Sequence, residues 1–509
     1  MAKKQSNALT YLQMPLPEGV GGKRSVRVDW SGLNKIHMID TGELSREENI
    51  STLKAPYLTP SALRRREFSD IPIENPIKLS GFDDFLLVIC KVGDGVGAVR
   101  INRDGTYIKE SFPKEDKYAG DFDTPRCVVA MNVYEGNNAL FGRYIKKLIV
   151  FPDKVTIDFD DKDLNTAIIP DVQMPDIRYA TVHLSRLYGV SGSGKGEPDR
   201  VCVSGFNDYT NWNVDTDDDF SEAHAWVSAA QSNVRASGAF TGITTYLHSV
   251  VAFKNDYMHE ITGTSNPFKI SDVFSEGAVS NDTIAQVDGT LFFVSDDAVK
   301  VYTGGNPRVM SYKLGMNKFK NAAADGDARG QYYLYCEDEK GEKHIFVYNT
   351  VFMQWSEEKA DERVISFAKN KNGFYMMTKS GIFRVDTNDY EGQKWLAETD
   401  ITLGRSVDIK HISKLQLLCD INAGSSLRVS LIYDPGSRDE SEEVIFERKN
   451  ASGNTIRAAV RVVPRKTGHY GAKLRLEGEG YSCIYQAEMT SVSGGELYKT
   501  LESEWNDDV

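Results

Sequence analysis

The chain is poor in the residues that announce a catalyst, a membrane protein or a nucleic-acid grip. Six cysteines occur in 509 residues, at Cys90, Cys127, Cys202, Cys336, Cys419 and Cys483, far apart and without a CxxC. This argues against a disulfide framework or a thiolate zinc site and predicts buried, reduced thiols in a product of the cytoplasm. The longest apolar run, Phe85–Cys90, falls far short of the ~20 residues that cross a bilayer, so no membrane insertion is expected. No apolar stretch follows Lys3 and Lys4, so no signal peptide is expected either. The eight histidines form no HExxH and no HxH, and GxSxG is missing. Cations are outnumbered, 60 Lys plus Arg against 73 Asp plus Glu, for a net charge of −13. Phosphate binding needs clustered cations, so gripping nucleic acid is a poor fit, whereas letting DNA slide past without sticking suits such a surface.

What the chain does have is strand. Residues 1–75 stand apart: Pro15, Pro17, Pro56, Pro60 and Pro72 interrupt any periodicity. Proline fixes φ and removes a donor, so the segment reads as an extended arm lying on this chain or on a neighbour. From Pro76 onward, short Val/Ile/Phe/Tyr runs alternate with Gly/Asn/Asp turns. Seven units share one form, a strand, a polar turn and a second strand. Examples are His248–Phe253 with Tyr257–Ile261, Thr290–Val294 with Val299–Tyr302, and Gly373–Met377 with Ile382–Val385. Second strands near 98, 148, 201, 258, 299, 345 and 382 step by 50, 53, 57, 41, 46 and 37 residues, bracketing the ~40–50 residues of a four-stranded propeller blade. The prediction is an all-β chain: an arm over 1–75, a β-propeller of seven blades (six if one unit belongs to the arm) over 76–394, and a β-sandwich over 395–509. Six strand candidates between His411 and Met489 support the sandwich, and Glu502–Val509 forms an acidic tail.

Motifs with chemical potential are weak. Gly189–Lys195 matches GxxxxGK, but Gly196 stands where Ser or Thr would hold magnesium, and Pro198 breaks the helix that should follow. It reads as a glycine-rich turn. Asp215–Asp219 with Glu222 has calcium-loop spacing, yet Phe220 occupies the position that requires glycine, so a solvated acidic insertion is expected. His183, His248, His259 and His344 lie in separate strand-like runs. No catalytic, cofactor-binding or metal-binding residue is nominated.

Several phrases occur together: Trp30-Ser-Gly-Leu-Asn34, Ile39–Gly42, Ala55–Leu58, Asp199–Asp208 with Trp212, Ser295–Tyr302 and Leu474–Gly480. In these the chain resembles β-propeller tail proteins of tailed bacteriophages, the packaged-DNA stabilisation (tail hub) and nozzle proteins. The resemblance implies a structural, non-enzymatic virion protein, made in the host cytoplasm. It implies a ring of six copies around the DNA exit channel, and neighbouring tail or adapter proteins as partners. DNA would pass through the lumen without sequence-specific binding. The arm would then cross a neighbouring subunit or the adapter ring. Two other classes compete. A host-surface glycan binder would stack sugars on aromatics such as Trp212, Trp226 and Tyr257. A propeller glycoside hydrolase would need a central carboxylate pair that no motif singles out.

Overall fold

The computed structural model describes residues 23–28, 30–36, 43–135, 143–159, 164–170, 173–191, 200–214, 221, 224–227, 238–273, 276–400 and 409–493. Seven four-stranded antiparallel sheets form a β-propeller. Blade 1 is Glu74–Phe82, Phe85–Val92, Gly95–Ile101 and Tyr107–Ser111. Blade 2 is Cys127–Glu135, Arg143–Phe151, Val155–Asp158 and Thr166–Ile168. Blade 3 is Ile177–His183, Arg186–Ser191, Arg200–Val203 and Trp226–Val227. Blade 4 is Gly242–Tyr246, Ser249–Phe253, Met258–Thr262 and Lys269–Val273. Blade 5 is Ala285–Val287, Thr290–Val294, Val299–Tyr302 and Arg308–Val309. Blade 6 is Lys320–Gly326, Gln331–Glu337, Lys343–Asn349 and Gln354–Lys359. The strands of each blade are called A to D in this order. The A strands of blades 7 and 1 pack on each other, as do those of blades 6 and 7, so A strands stand at the centre.

Blade 7 explains the arm. Its strands A to C are Val364–Asn370, Gly373–Thr378 and Gly381–Arg384, and its fourth strand is Arg65–Glu67, antiparallel to Gly381–Arg384. The ring is thus completed by a segment some 300 residues earlier in the chain. The same segment also enters the second domain. Lys23–Val28 pairs with Ser482–Ser493 in a four-stranded sheet, and Leu44–Glu48 pairs with Lys394–Thr399 in a five-stranded one. These two sheets face each other as the sandwich. Its core holds Trp30, Leu44, Ile50 and Leu58 from the arm beside Trp395, Leu417, Leu431 and Leu476. The extended path expected for the arm is therefore a set of strands built into the chain's own two domains. Sequence could not show this, because each partner is hundreds of residues away and pairing leaves no local pattern.

The hairpins legible in the sequence are mostly the middle strands B and C, buried on both faces and hence continuously apolar; Phe85–Cys90, for example, is fully enclosed. Blade 2 is the exception. There the sequence picks out Cys127–Glu135 and Arg143–Phe151, which are strands A and B, because Val155–Asp158 is too short to stand out. All six cysteines are buried and unbridged.

The centre of the ring is polar. Lys78 of blade 1 forms an ion pair with Asp282, in the short turn Asn281–Thr283 that leads into blade 5. Burial opposes the Lys78 charge, but the Asp282 carboxylate outweighs it and holds the ammonium above its ordinary range. Asp325 of blade 6 is pushed up by burial. The seam between blades 7 and 1 is tight: the Ser366 hydroxyl donates to the Leu79 carbonyl at 3.1 Å, and a Cβ on Gly81 would run into the Lys369 backbone. Gly81→Ala is expected to destabilise the fold by about 1–3 kcal/mol through this overpacking. Chemical denaturation checks it, and an unchanged midpoint would mean the seam is looser than described.

Candidate interaction surface

In a blade, the A–B and C–D turns lie on one face of the propeller and the B–C turns on the other. Among the described residues, exposed large apolar side chains of the propeller gather on the first face. Tyr107, Tyr144, Leu184, Phe206, Val214, Leu247, Val309 and Val351–Met353 all lie in or beside A–B or C–D turns; Tyr312 lies elsewhere. Isolated exposed apolar residues are ordinary, but a clustered set is not.

Blades 2 to 4 connect four of these residues into one patch. Tyr144 packs edge-on against Tyr134 at 5.3 Å between centroids. The Tyr134 amide donates to the Asn207 carbonyl (3.4 Å), and the Asn207 amide donates to the Ser185 carbonyl (2.8 Å). Phe206 and Leu184 are the immediate neighbours of those residues, and the Arg186 guanidinium lies 5.8 Å from the Phe206 ring. The His183 imidazole hydrogen-bonds to the backbone of His248, next to Leu247. Burial is the main cause holding the His183 imidazole below its usual range, and the nearby His248 adds to it. The patch thus runs Tyr144–Phe206–Leu184–Leu247.

Its two leucines are strained. Leu184 has φ +47° and Leu247 φ +52°, the left-handed region in which a side chain costs roughly 1–2 kcal/mol. Blade 5 fills the equivalent turn with Asp288-Gly289, the residues such a hairpin turn favours. Leu184 is 49% and Leu247 60% exposed, so neither gains burial in return. Met353, φ +54° and 69% exposed, repeats the combination on blade 6. A sequence signal existed in His183-Leu-Ser-Arg186, a lone leucine in a two-residue turn, but it is visible only once the turn is placed.

The residues weighed from sequence do not converge. Trp212 and Trp226 are half-buried against the core of blades 2 to 4, with the Trp212 indole donating to the Tyr209 carbonyl (2.7 Å). Tyr257 sits in a B–C turn on the opposite face. The three form no stacking platform. Gly189–Ser191 lies in strand B of blade 3; the rest of the glycine-rich turn, Asp215–Phe220 and Glu222 lie outside the described residues. His259 is buried in blade 4, and His344 pairs with Glu357 at 2.7 Å. No group of three metal-ligating side chains occurs among the described residues.

Two clefts flank blade 7. One of about 450 Å³ lies between the arm, the sandwich and blades 6 and 7, where Arg64 pairs with Glu358 at 2.7 Å. The other, of about 550 Å³, lies between blades 7 and 1 beside Arg103, Lys371 and Arg384.

A buried acid pair joins the outer loop between blades 1 and 2, which carries Asp116, to the B–C turn of blade 2, which carries Asp153. Arg126 donates to both carboxylate oxygens of Asp153, at 3.0 and 3.2 Å, and to the Tyr118 carbonyl. Asp116, 7% exposed, sits beside them with one carboxylate oxygen lacking a partner. Arg126 balances one carboxylate and leaves the second uncompensated. Burial, with the Asp153 charge behind it, raises Asp116 to about 7. Native protein therefore retains a proton that the unfolded chain releases above about pH 4. This contribution to stability is full below that pH, is lost as pH rises through about 7, and is constant beyond. Asp116→Asn, whose amide can donate where the acid proton did, is expected to remove about 1–2 kcal/mol of the stability lost between about pH 5 and 8. Parallel pH–stability curves for the two proteins would contradict it.

No protein-family model and no curated protein matches the chain. Solved structures do, as folds. The WD40 domain of Neurospora crassa Pan2 is 9% identical over 62% of this chain and 90% of that one, with a TM-score of 0.36. The extracellular domain of a putative one-component system from B. thetaiotaomicron is 12% identical over 84% and 61%, TM-score 0.39. A fucose-specific lectin from Aleuria aurantia is 11% identical over 56% and 96%, TM-score 0.31.

Proposed function

We propose that this protein is a structural, non-catalytic component of a bacteriophage tail that assembles with copies of itself into a ring around the path of DNA. The observation that carries the reading is the apolar, strained patch on blades 2 to 4. Exposed leucines in the left-handed region cost backbone strain and gain no burial that would offset it. Residues that a monomer would be better without suit a surface that a partner covers. The remaining features accord with a scaffold. The arm ties both domains together, and an ion pair crosses the propeller centre, so the DNA path would be the lumen between subunits. The net charge of −13 suits a lumen wall that does not retain DNA.

The test is association of the purified protein at high concentration, by sedimentation and electron microscopy. Closed rings are expected, lost in the Leu184→Asp/Leu247→Asp double variant. Leu184→Asn separates assembly from folding. Asparagine tolerates positive φ, so this variant is expected to be more stable than the parent by about 0.5–1 kcal/mol while associating less. A protein that stays monomeric, or rings indifferent to both variants, would overturn the proposal.

A further inference from the structure

The sandwich has one side against the propeller and one side open. On the propeller side, the edge strand Leu44–Glu48 lies along Gln354–Lys359 of blade 6, where the Glu357 amide donates to Glu47 (3.3 Å). At the other end of the two sheets stand the edge strands Ser441–Lys449 and Ile456–Val462, and among the described residues neither has a strand on its outer side. They run antiparallel beside each other and are tied at both ends. The Asn450 side chain donates to the Ile421 carbonyl (2.9 Å), level with Ile456, and the Arg465 amide donates to Glu443 (2.8 Å). A sheet edge is a row of unused backbone donors and acceptors that another chain can pair with.

Register settles which side chains the two edges present. Glu442, Val444 and Glu447 stand opposite Ile432, Ser430 and Arg428, while the core residues Leu431, Val429 and Leu427 stand opposite Glu443, Phe446 and Arg448. On the other edge, Arg457, Ala459 and Arg461 stand opposite Asp420, Leu418 and Gln416, and the intervening Ala458 and Val460 face the core. Opposite residues share a face of the sheet. The outer faces therefore read Glu–Val–Glu on one edge and Arg–Ala–Arg on the other. Val444 is 42% exposed and Leu418, beside Ala459, 38%. Glu442 is engaged by Arg428 and Arg475, and Arg457 by Asp420. The Glu447 and Arg461 side chains have no partner among the described residues.

Charge selects the occupant. A second copy can meet these edges about a two-fold axis in two ways. An axis perpendicular to the sheets sets each edge against itself, antiparallel about Val444 and about Ala459. That brings Glu442 to Glu447 and Arg457 to Arg461, like charges directly opposed. An axis along the strands instead sets the acidic edge of each copy against the basic edge of the other, again antiparallel. Val444 then faces Ala459, Glu442 faces Arg461 and Glu447 faces Arg457. The bulge between Val444 and Phe446 absorbs the unequal spacing. Every outward charge meets its opposite, and each copy contributes both edges, as an isologous contact requires.

We infer that the open side of the sandwich is a two-fold interface with a second copy of the chain, in which Ser441–Lys449 of each copy pairs antiparallel with Ile456–Val462 of the other. Both sheets then continue from one copy into the next. The contact goes beyond the ring reading and does not depend on it, since it uses none of the propeller's turns.

The test mixes full-length Val444→Cys protein with full-length Ala459→Cys protein and bridges exposed thiols with a short bis-maleimide, the six native cysteines being buried. Bridges between the two variants are expected to exceed those formed within either variant alone at least tenfold. Arg461→Glu is expected to weaken pairing at least tenfold in sedimentation without moving the unfolding midpoint, and Glu442→Arg added to the same chain is expected to restore it. Bridges of either variant to itself in preference to the other would show self-paired edges and overturn the inference. Pairing indifferent to Arg461→Glu, or no pair at any concentration, would overturn it as well. Rings that form while no bridge appears would remove this contact and leave the ring reading standing.

Discussion

The arm's traverse from one core to the other is the constraint on which the rest of the molecule depends. Trp30 is buried in the sandwich core, and Leu33, three residues on, in the core of blades 5 and 6. Between them Gly32 adopts φ +86° and passes so close to the Trp355 carbonyl that a Cβ would collide with it. The Asn34 side chain donates to Glu43 at 2.5 Å, and Glu43 also receives Lys313 of the propeller. Lys35 pairs with Glu357 at 2.6 Å. Within six residues the chain is fixed to both domains by packing, hydrogen bonds and charge, so the two are held as one body rather than strung on a linker.

This accounts for the phrase Trp30–Asn34, and it shows what such phrases encode. Ser295–Tyr302 is the B–C turn of blade 5, with the Ser295 hydroxyl 2.7 Å from Asp297 and Lys300 joined to Glu276. Leu474–Gly480 runs in a central sandwich strand, where Gly478 leaves room for Trp395. Each is a structural joint. They carry information about fold, and the functional reading rests instead on the exposed turn residues.

Legibility followed burial. Strands enclosed on both faces, such as Phe85–Val92 and Gln331–Glu337, show as unbroken apolar runs, and counting them gives seven blades. Sandwich strands show by alternation, as in Ser426–Tyr433. Arg65–Glu67 has no apolar signature, since it is an exposed edge of charged residues, yet it completes the ring. The exposed patch on blades 2 to 4 shows in the sequence only once its turns are placed. Leu184 and Leu247 look like ordinary strand-flanking leucines until φ and exposure are known, and their proximity depends on how blades 3 and 4 abut. The pair Asp116 and Asp153 was one combination among 73 carboxylates until folding placed Arg126 between their loops.

The order in which these strands leave the ribosome has a consequence of its own. Lys23–Val28 and Arg65–Glu67 are synthesised early, but their partners, Ser482–Ser493 and Gly381–Arg384, emerge several hundred residues later. Neither domain can close until those later strands emerge, and the nascent N-terminal strands must wait with open edges. Contacts of such long sequence separation make folding slow. During that wait an unpaired strand can invade a sibling polypeptide on the same message, so crowded synthesis itself selects for an edge as short and as charged as Arg65-Arg66-Glu67.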